Sequence, residues 1–167
     1  AELARSADRA GVAASIRDGA VEAIVYAKDR AGLLADLAGA VASVGGNVRN
    51  VHAITLDDGR VIDVFTILPP EGAAPEATAD FVRTLHSGLL AAARARPASP
   101  PSLTRRIGDR RAIFAVPADV RLDSQASDEA LVVEAEGRDR PGLLYSLTSA
   151  IAELGLTIRS AHIATYG

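Results

Sequence analysis

A segment that occurs twice constrains this chain more than any other feature. Residues 29–55 and 139–165 align without a gap, and 12 of the 27 paired positions are identical, including His52 with His162. Two such similar segments are one structural unit used twice. The chain is therefore predicted to contain two copies of the same fold.

Each copy has the same order of local patterns. In the first copy a β-type apolar run at 23–27 precedes residues 31–44, where apolar side chains recur at helical spacing. In the second copy the corresponding segments are 131–135 and 143–154. A second β-type run follows each helix, so the repeated unit is predicted to be strand, helix, strand.

Short signals predict where these helices begin and end. Asp29 and Asp139 are predicted N-caps, and Pro141 suits a first helical position. Gly45 and Gly155 suit the left-handed residue that follows a helix.

The rest of the first copy completes an α+β fold. Asp18 and Gly19 predict a hairpin turn, residues 60–68 a central strand, and residues 75–94 a second helix. We interpret this order as a ferredoxin-like βαββαβ unit, with two helices on one face of an antiparallel sheet. Two short strand candidates, 12–17 and 120–123, each directly precede a first strand, and the sequence leaves open which strand lies at the edge beside strand one.

The domain prediction follows from the repeat and from a proline-rich connection. Residues 1–20 are predicted to be a linker and the end of an upstream helix, and residues 21–125 the first domain, with a Pro/Arg-rich linker at about 95–112. Residues 129–167 are predicted to be the N-terminal half of the second domain, a truncated copy.

Composition excludes several classes of function. The net charge of −3 offers no general attraction for nucleic acid, and the absence of cysteine excludes disulfides and thiolate metal sites. No run of 18 apolar residues predicts a membrane span, and no signal peptide is apparent. A cytoplasmic protein without nucleic-acid or membrane partners is the resulting prediction.

One motif has the chemistry of a binding site. In the loop Asp-Arg-x-Gly, Gly32 and Gly142 allow close backbone approach, and the following helix N-terminus attracts a carboxylate. Asp29 and Asp139 could then receive an ammonium group, so a zwitterionic amino acid suits the loop. The alternative is structural, with Asp as a cap and Gly as a turn residue.

Catalytic motifs are absent from the sequence. His52, His86 and His162 lack metal-ligand spacing, and we interpret them as polar residues on an open sheet face, with His52 and His162 as equivalents in two copies rather than partners. Arg49 and Arg159 are predicted to be surface residues. No metal is expected, and this chain alone is not expected to be an enzyme.

Both copies resemble ACT domains, the small modules that bind amino acids and regulate metabolic enzymes. The second copy, with Arg-Asp-Arg-Pro-Gly-Leu-Leu-Tyr-Ser-Leu and Ser-Ala-His-Ile-Ala-Thr-Tyr-Gly, resembles the C-terminal ACT region of bacterial bifunctional PII uridylyltransferase/uridylyl-removing enzymes. The resemblance implies glutamine sensing, the PII protein as a partner, and catalytic domains outside this sequence. It implies no cofactor in this segment, and magnesium in the parent enzyme.

The resemblance also implies ligand contacts, from the loop after strand one and from a position eighteen residues after its Asp. Carried over by position, these residues are Asp29, Arg30, Gly32, Leu33, Leu34 and Asn47 in the first copy, and Asp139, Arg140, Gly142, Leu143, Leu144 and Thr157 in the second. Thr157 is the weaker match, and Ala31 replaces the proline of the pattern.

Two alternatives remain open at this point. The chain could be an interaction or dimerisation module that binds no ligand, or the ACT region of another amino-acid-regulated enzyme. Because the second copy has no third strand to pair with 131–135, the chain is also expected to self-associate through that copy.

Overall fold

The computed structural model describes residues 10–70, 72, 75–95, 119–123, 125–127 and 129–164. The chain divides into two compact units. The first comprises Ala1–Ser102 and Pro141–Gly167, and the second comprises Leu103–Arg140. The sequence predictions for residues 1–9 and for most of the linker lie outside the described residues.

The first unit contains five strands and three helices among its described residues. In chain order these are β1 (Gly11–Arg17), β2 (Ala20–Lys28), α1 (Leu33–Ser43), β3 (Asn47–Thr55), β4 (Arg60–Leu68), α2 (Pro75–Arg94), α3 (Leu143–Glu153) and β7 (Ser160–Ala164). The second unit contributes β5 (Asp119–Asp123) and β6 (Val132–Glu136). The predicted α+β fold with an antiparallel sheet is confirmed.

The sheet of the first unit has the order β1-β2-β4-β3-β7, and every neighbouring pair is antiparallel. The predicted central strand, residues 60–68, therefore lies in the middle as β4, with β2 and β3 on its two sides. The edge beside β2, which the sequence left open, is occupied by β1. It is joined to β2 through the predicted hairpin, in which Asp18 and Gly19 have φ angles of 49° and 77°, as a tight two-residue turn requires.

The core lies between this sheet and its helices, and strand alternation builds it. Along β4, the side chains of Val61, Phe65 and Ile67 are buried at alternate positions. Helix α1 contributes Leu37, and α2 contributes Leu85, to the same hydrophobic cluster. Burial of these side chains is the main stabilising contribution to the unit.

Helix α1 begins at Leu33, two residues later than the predicted range 31–44, whereas α3 begins at Leu143, as its predicted range 143–154 has it. Their N-caps are Gly32 and Gly142, with left-handed φ angles of 74° and 81°, and no side chain caps either helix. The prediction that Asp29 and Asp139 are N-caps was therefore wrong, as was the placement of Pro141 in the first turn. The glycine adds a left-handed turn between the aspartate and the helix, which only glycine adopts without strain. The predicted ends are confirmed, because both glycines that follow the helices have positive φ angles.

The two sequence copies meet along equivalent elements. Strand β7 pairs antiparallel with β3, and His52 lies opposite His162. The flanking pairs are symmetric about this point, since Val51 faces Ile163 and Ala53 faces Ala161. Helices α1 and α3, also equivalent, lie in contact. We call this contact between β3 with α1 and β7 with α3 the copy seam.

The second unit, described by itself, is a two-stranded antiparallel hairpin. Strand β5 pairs with β6 from Asp119 opposite Glu136 to Asp123 opposite Val132. Its apolar side chains remain exposed, as for Val120 and Leu122, at 60% and 67%. Within the described ranges, no helix has the length and apolarity needed to cross a membrane.

Candidate functional site

A cleft opens along the copy seam, beneath the helices of the first unit. It encloses about 30 Å³, room for about two water molecules. Its lining combines carboxylates, arginines and apolar side chains. The residues that line it are Asp29, Arg30, Gly32, Leu33, Leu34, Ala35, Ala53, Ile54, Thr55, Val61, Asp63, Thr148, Ile151, Ala152, Leu156, Ile158 and Arg159.

The start of α1 forms one wall of the cleft. The left-handed Gly32 turns the chain into the helix, so that Leu34 and Ala35 lie in the first turn at the cleft. Backbone N–H groups at this position have no acceptor within the helix, and the helix dipole places positive potential there. This wall therefore suits a carboxylate or another anionic group.

The loop before α1 is fixed by hydrogen bonds from both sides. The backbone N–H of Asp29 donates to the carbonyl of Gly59 at 2.9 Å. Its carboxylate accepts a hydrogen bond from the hydroxyl of Thr55 at 3.4 Å. These contacts hold the Asp29 carboxylate just after the end of β2, where it borders the cleft.

The guanidinium of Arg30 is directed along the loop rather than left open. It forms an ion pair with Asp36 and donates hydrogen bonds to the carbonyls of Ala31 and Ala92, at 3.2 and 3.0 Å. Its Nε atom is buried without a partner. Arg30 thus ties the loop to α1 and to the end of α2, which favours a positioning role.

Asp63 lies at the floor of the cleft, and the sequence reasoning missed it. The side chain is only 3% exposed and interrupts the otherwise apolar inward row of β4. Burial, with a smaller contribution from the negative charge of Asp29, raises the pKa of Asp63 to about 7. No described residue donates a hydrogen bond to this carboxylate or forms an ion pair with it. The signal was present, since an acidic residue two positions from Val61 and from Phe65 shares their inward face.

The second copy provides the opposite wall. Thr148 is buried on α3, and its hydroxyl donates to the carbonyl of Leu144 at 2.8 Å. A Cβ atom at Gly32 would lie 3.8 Å from the Cβ of Ala152, which shows how closely the two helices approach. The carbonyl of Arg159 accepts the backbone N–H of Thr55 at 3.2 Å, which closes the end of the seam.

The structure places the predicted ligand residues in different surroundings. The five loop residues of the first copy, from Asp29 to Leu34, all line the cleft, whereas Asn47 and Thr157 are not part of its lining. Gly142, Leu143 and Leu144 begin α3, and Leu144 is buried in the core. Asp139 and Arg140 belong to the second unit and are exposed. Their role in ligand binding stays a prediction.

The predictions for the histidines require two corrections. His52 and His162 lie on the open sheet face, as predicted, but they are partners, because their Nδ1 atoms are 3.2 Å apart. The error arose because the sequence did not show that β3 and β7 pair. His86 lies on α2 instead, with its Nε2 atom 3.1 Å from the carbonyl oxygen of Val12. No group of three or more metal-ligating side chains occurs among the described residues.

Comparison with known proteins identifies similar enzymes. The whole chain is 42% identical to part of the bifunctional uridylyltransferase/uridylyl-removing enzyme of Caulobacter vibrioides, and 33% identical to part of that of Bradyrhizobium diazoefficiens. The enzyme of the same name from Phenylobacterium zucineum is 42% identical over 89% of the chain. The chain matches one segment of these enzymes.

The chain is much shorter than these relatives. The chain spans 16–19% of the length of these curated relatives. No model of a known protein family and no solved structure matches it. The homology therefore relates the chain to a part of the uridylyltransferase/uridylyl-removing enzymes, and the predicted resemblance to these enzymes is confirmed.

Proposed function

We propose that this chain is an amino-acid-sensing regulatory segment of a cytoplasmic PII uridylyltransferase/uridylyl-removing enzyme, and that its ligand is glutamine. The observation that carries the proposal is the cleft at the copy seam. It combines a helix N-terminus, which suits a carboxylate, with the carboxylates of Asp29 and Asp63, which suit an ammonium group. A zwitterionic amino acid matches both walls.

The size of the cleft explains how binding would act as a signal. A volume of about 30 Å³ is too small for an amino acid. We propose that binding widens the space between α1 and α3, which belong to different copies. Ligand occupancy would be converted into a change in the separation of the copies, as expected for a regulatory segment.

Catalysis would belong to other parts of the parent enzyme. Phosphoryl transfer and hydrolysis require metal-binding carboxylates or equivalent groups, and the proposal assigns these groups, with the magnesium they hold, to catalytic domains outside this chain. The PII protein would be their substrate.

Calorimetric titration of the chain tests the proposal. We expect saturable binding of glutamine, with weaker binding of glutamate, whose second carboxylate would approach the acidic floor of the cleft. As a control, Asp57→Asn changes an exposed turn aspartate away from the cleft and should leave binding unchanged. Absence of binding for glutamine and all other amino acids would favour the alternative function, a ligand-free interaction module.

A second proposal concerns association between copies of this chain. Within the second unit, β6 pairs only with β5 among the described residues, and Val133 is 44% exposed. A two-stranded hairpin with open edges is marginally stable alone and accepts a further strand. We propose that the hairpin of a second chain adds to it. Light scattering should then give a mass above 17.2 kDa that falls towards this value in Leu122→Lys.

A further inference from the structure

The buried carboxylate of Asp63 requires a partner that the described part of the chain does not provide. It lies on a central strand, between Val25 of β2 and Ala53 of β3 in the sheet register. Both neighbours are buried and apolar. A carboxylate in such surroundings is stable only when it is neutral or when a cation approaches it.

The cations near the cleft do not meet this need. The terminal nitrogens of Arg30 are engaged by Asp36 and by two backbone carbonyls. Arg159 also lines the cleft, but it is exposed, whereas Asp63 is only 3% exposed. Besides these two arginines and Asp63 itself, Asp29 is the remaining charged residue that lines the cleft. Its negative charge makes ionisation of Asp63 still less favourable. The remaining lining residues, from α1, α3 and the strands, do not titrate.

We propose that Asp63, together with Asp29, receives the ammonium group of the amino-acid ligand, and that Asp63 releases its proton to solvent when the ligand binds. This assignment rests on the proposed function. In the free protein the Asp63 carboxyl group carries a proton for part of the time. The arriving ammonium keeps its own protons, the O–H bond of the carboxyl group breaks, and the resulting carboxylate accepts the N–H donors of the ligand.

Proton release makes glutamine binding depend on pH. Because the pKa of Asp63 is raised to about 7, about half a proton should leave per ligand bound at pH 7. The release should approach one proton at pH 6 and almost vanish at pH 8. The affinity for glutamine should therefore rise by about tenfold between pH 6 and pH 8 and then level off.

The test is calorimetric titration of glutamine into the 167-residue chain at pH 7, in phosphate and in Tris. These buffers differ in ionisation enthalpy, so the difference in apparent binding enthalpy counts the released protons. For the wild type we expect about half a proton. For Asp63→Asn we expect none, and binding at least tenfold weaker. Asp57→Asn, at an exposed turn, should behave as the wild type.

A second ligand distinguishes recognition of the ammonium group from a general effect on the cleft. 4-Carbamoylbutanoate is glutamine without its amino group. We expect it to bind the wild type at least tenfold more weakly than glutamine does, and to bind Asp63→Asn no more weakly than the wild type. A similar loss for both ligands in the variant would overturn the assignment, because the substitution would then have changed the cleft as a whole.

The outcomes separate the two proposals. If the wild type binds no amino acid, the proposed function is wrong. If the wild type binds glutamine but Asp63→Asn binds it equally well, with the same proton release, amino-acid sensing stands and the assignment of Asp63 is wrong.

Discussion

Replacing Asp63 by asparagine should stabilise the protein, and the size of the effect should depend on pH. Asparagine has nearly the same shape as aspartate but cannot ionise. The substitution therefore removes only the free-energy cost of an ionised carboxylate in the core. That cost can be worked out from the pKa of Asp63 in the folded and unfolded chains.

The folded chain holds the Asp63 proton over a pH range in which the unfolded chain has already lost it. The pKa is about 7 in the folded protein, against an ordinary value of 3.8. Well below pH 3.8 both states are protonated, and there is no penalty. Between these values stability falls as pH rises, because the folded state binds more protons. Above pH 7 both states are ionised and the penalty is complete.

Each unit of pKa difference corresponds to about 1.4 kcal/mol, so the full penalty is about 4 kcal/mol. We expect Asp63→Asn to be more stable than the wild type by up to this amount at pH 8. The difference should shrink to about 0.6 kcal/mol at pH 4 and vanish at lower pH. Comparing the two proteins at each pH removes the contribution of the titrating groups that do not interact with Asp63, since that contribution is common to both. Asp29, whose negative charge acts on Asp63, is the exception.

Urea unfolding followed by circular dichroism measures this difference, as the chain has no tryptophan to report by fluorescence. Asp57→Asn serves as the control, because it removes a carboxylate from an exposed turn and should show no pH-dependent gain. A constant difference between Asp63→Asn and the wild type from pH 4 to pH 8 would refute the argument. The carboxylate would then be solvated or already paired with a cation.

Three further predictions test the packing, the copy seam and the assignment of function. Gly46→Ala should destabilise the protein by about 1–3 kcal/mol in urea unfolding, because the added Cβ would lie 3.0 Å from side-chain atoms of Ile67 and Val41. Gly11→Ala is the matched control, since a Cβ added there would have no atom within 4 Å. Spin labels on cysteines introduced at the exposed Ser43 and Glu153 should move apart when glutamine is added, and an unchanged distance at saturation would contradict widening of the cleft. The purified chain should release no UMP from uridylylated PII, and measurable release would show that the chain carries catalytic groups.

Local elements could be predicted from the sequence because local patterns determine them. The alternation of β4 and the helical spacing of α1 both reflect which face is buried, and the turn at Asp18 and Gly19 has its own chemistry. The predicted start of α1 was wrong because an aspartate three residues before a glycine, as in Asp29 and Gly32, is compatible with two structures. The aspartate can cap the helix, or the glycine can form a left-handed turn before it. Only the backbone conformation of Gly32 separates these two possibilities.

The cleft itself could not be predicted, because it depends on contacts between distant parts of the chain. Nothing in the sequence of β3 specifies that β7, rather than another strand, pairs with its edge. Without that pairing, Arg159 and Thr148 have no relation to Asp29, although all three line the cleft. Asp63 was overlooked because residues 60–68 were predicted to be a central strand from their apolar side chains, and one acidic residue did not change that prediction.

The symmetric pairing of β3 with β7 has the geometry of an isologous dimer interface, here contained in a single chain. In a homodimer each substitution changes both halves of such an interface at once. Joining the halves in one polypeptide gives each a high effective concentration of its partner and lets the two sides vary independently. Ala31 stands where the other copy has Pro141, and Asn47 where it has Thr157. One side of the contact can therefore specialise for a ligand while the other keeps the pair together.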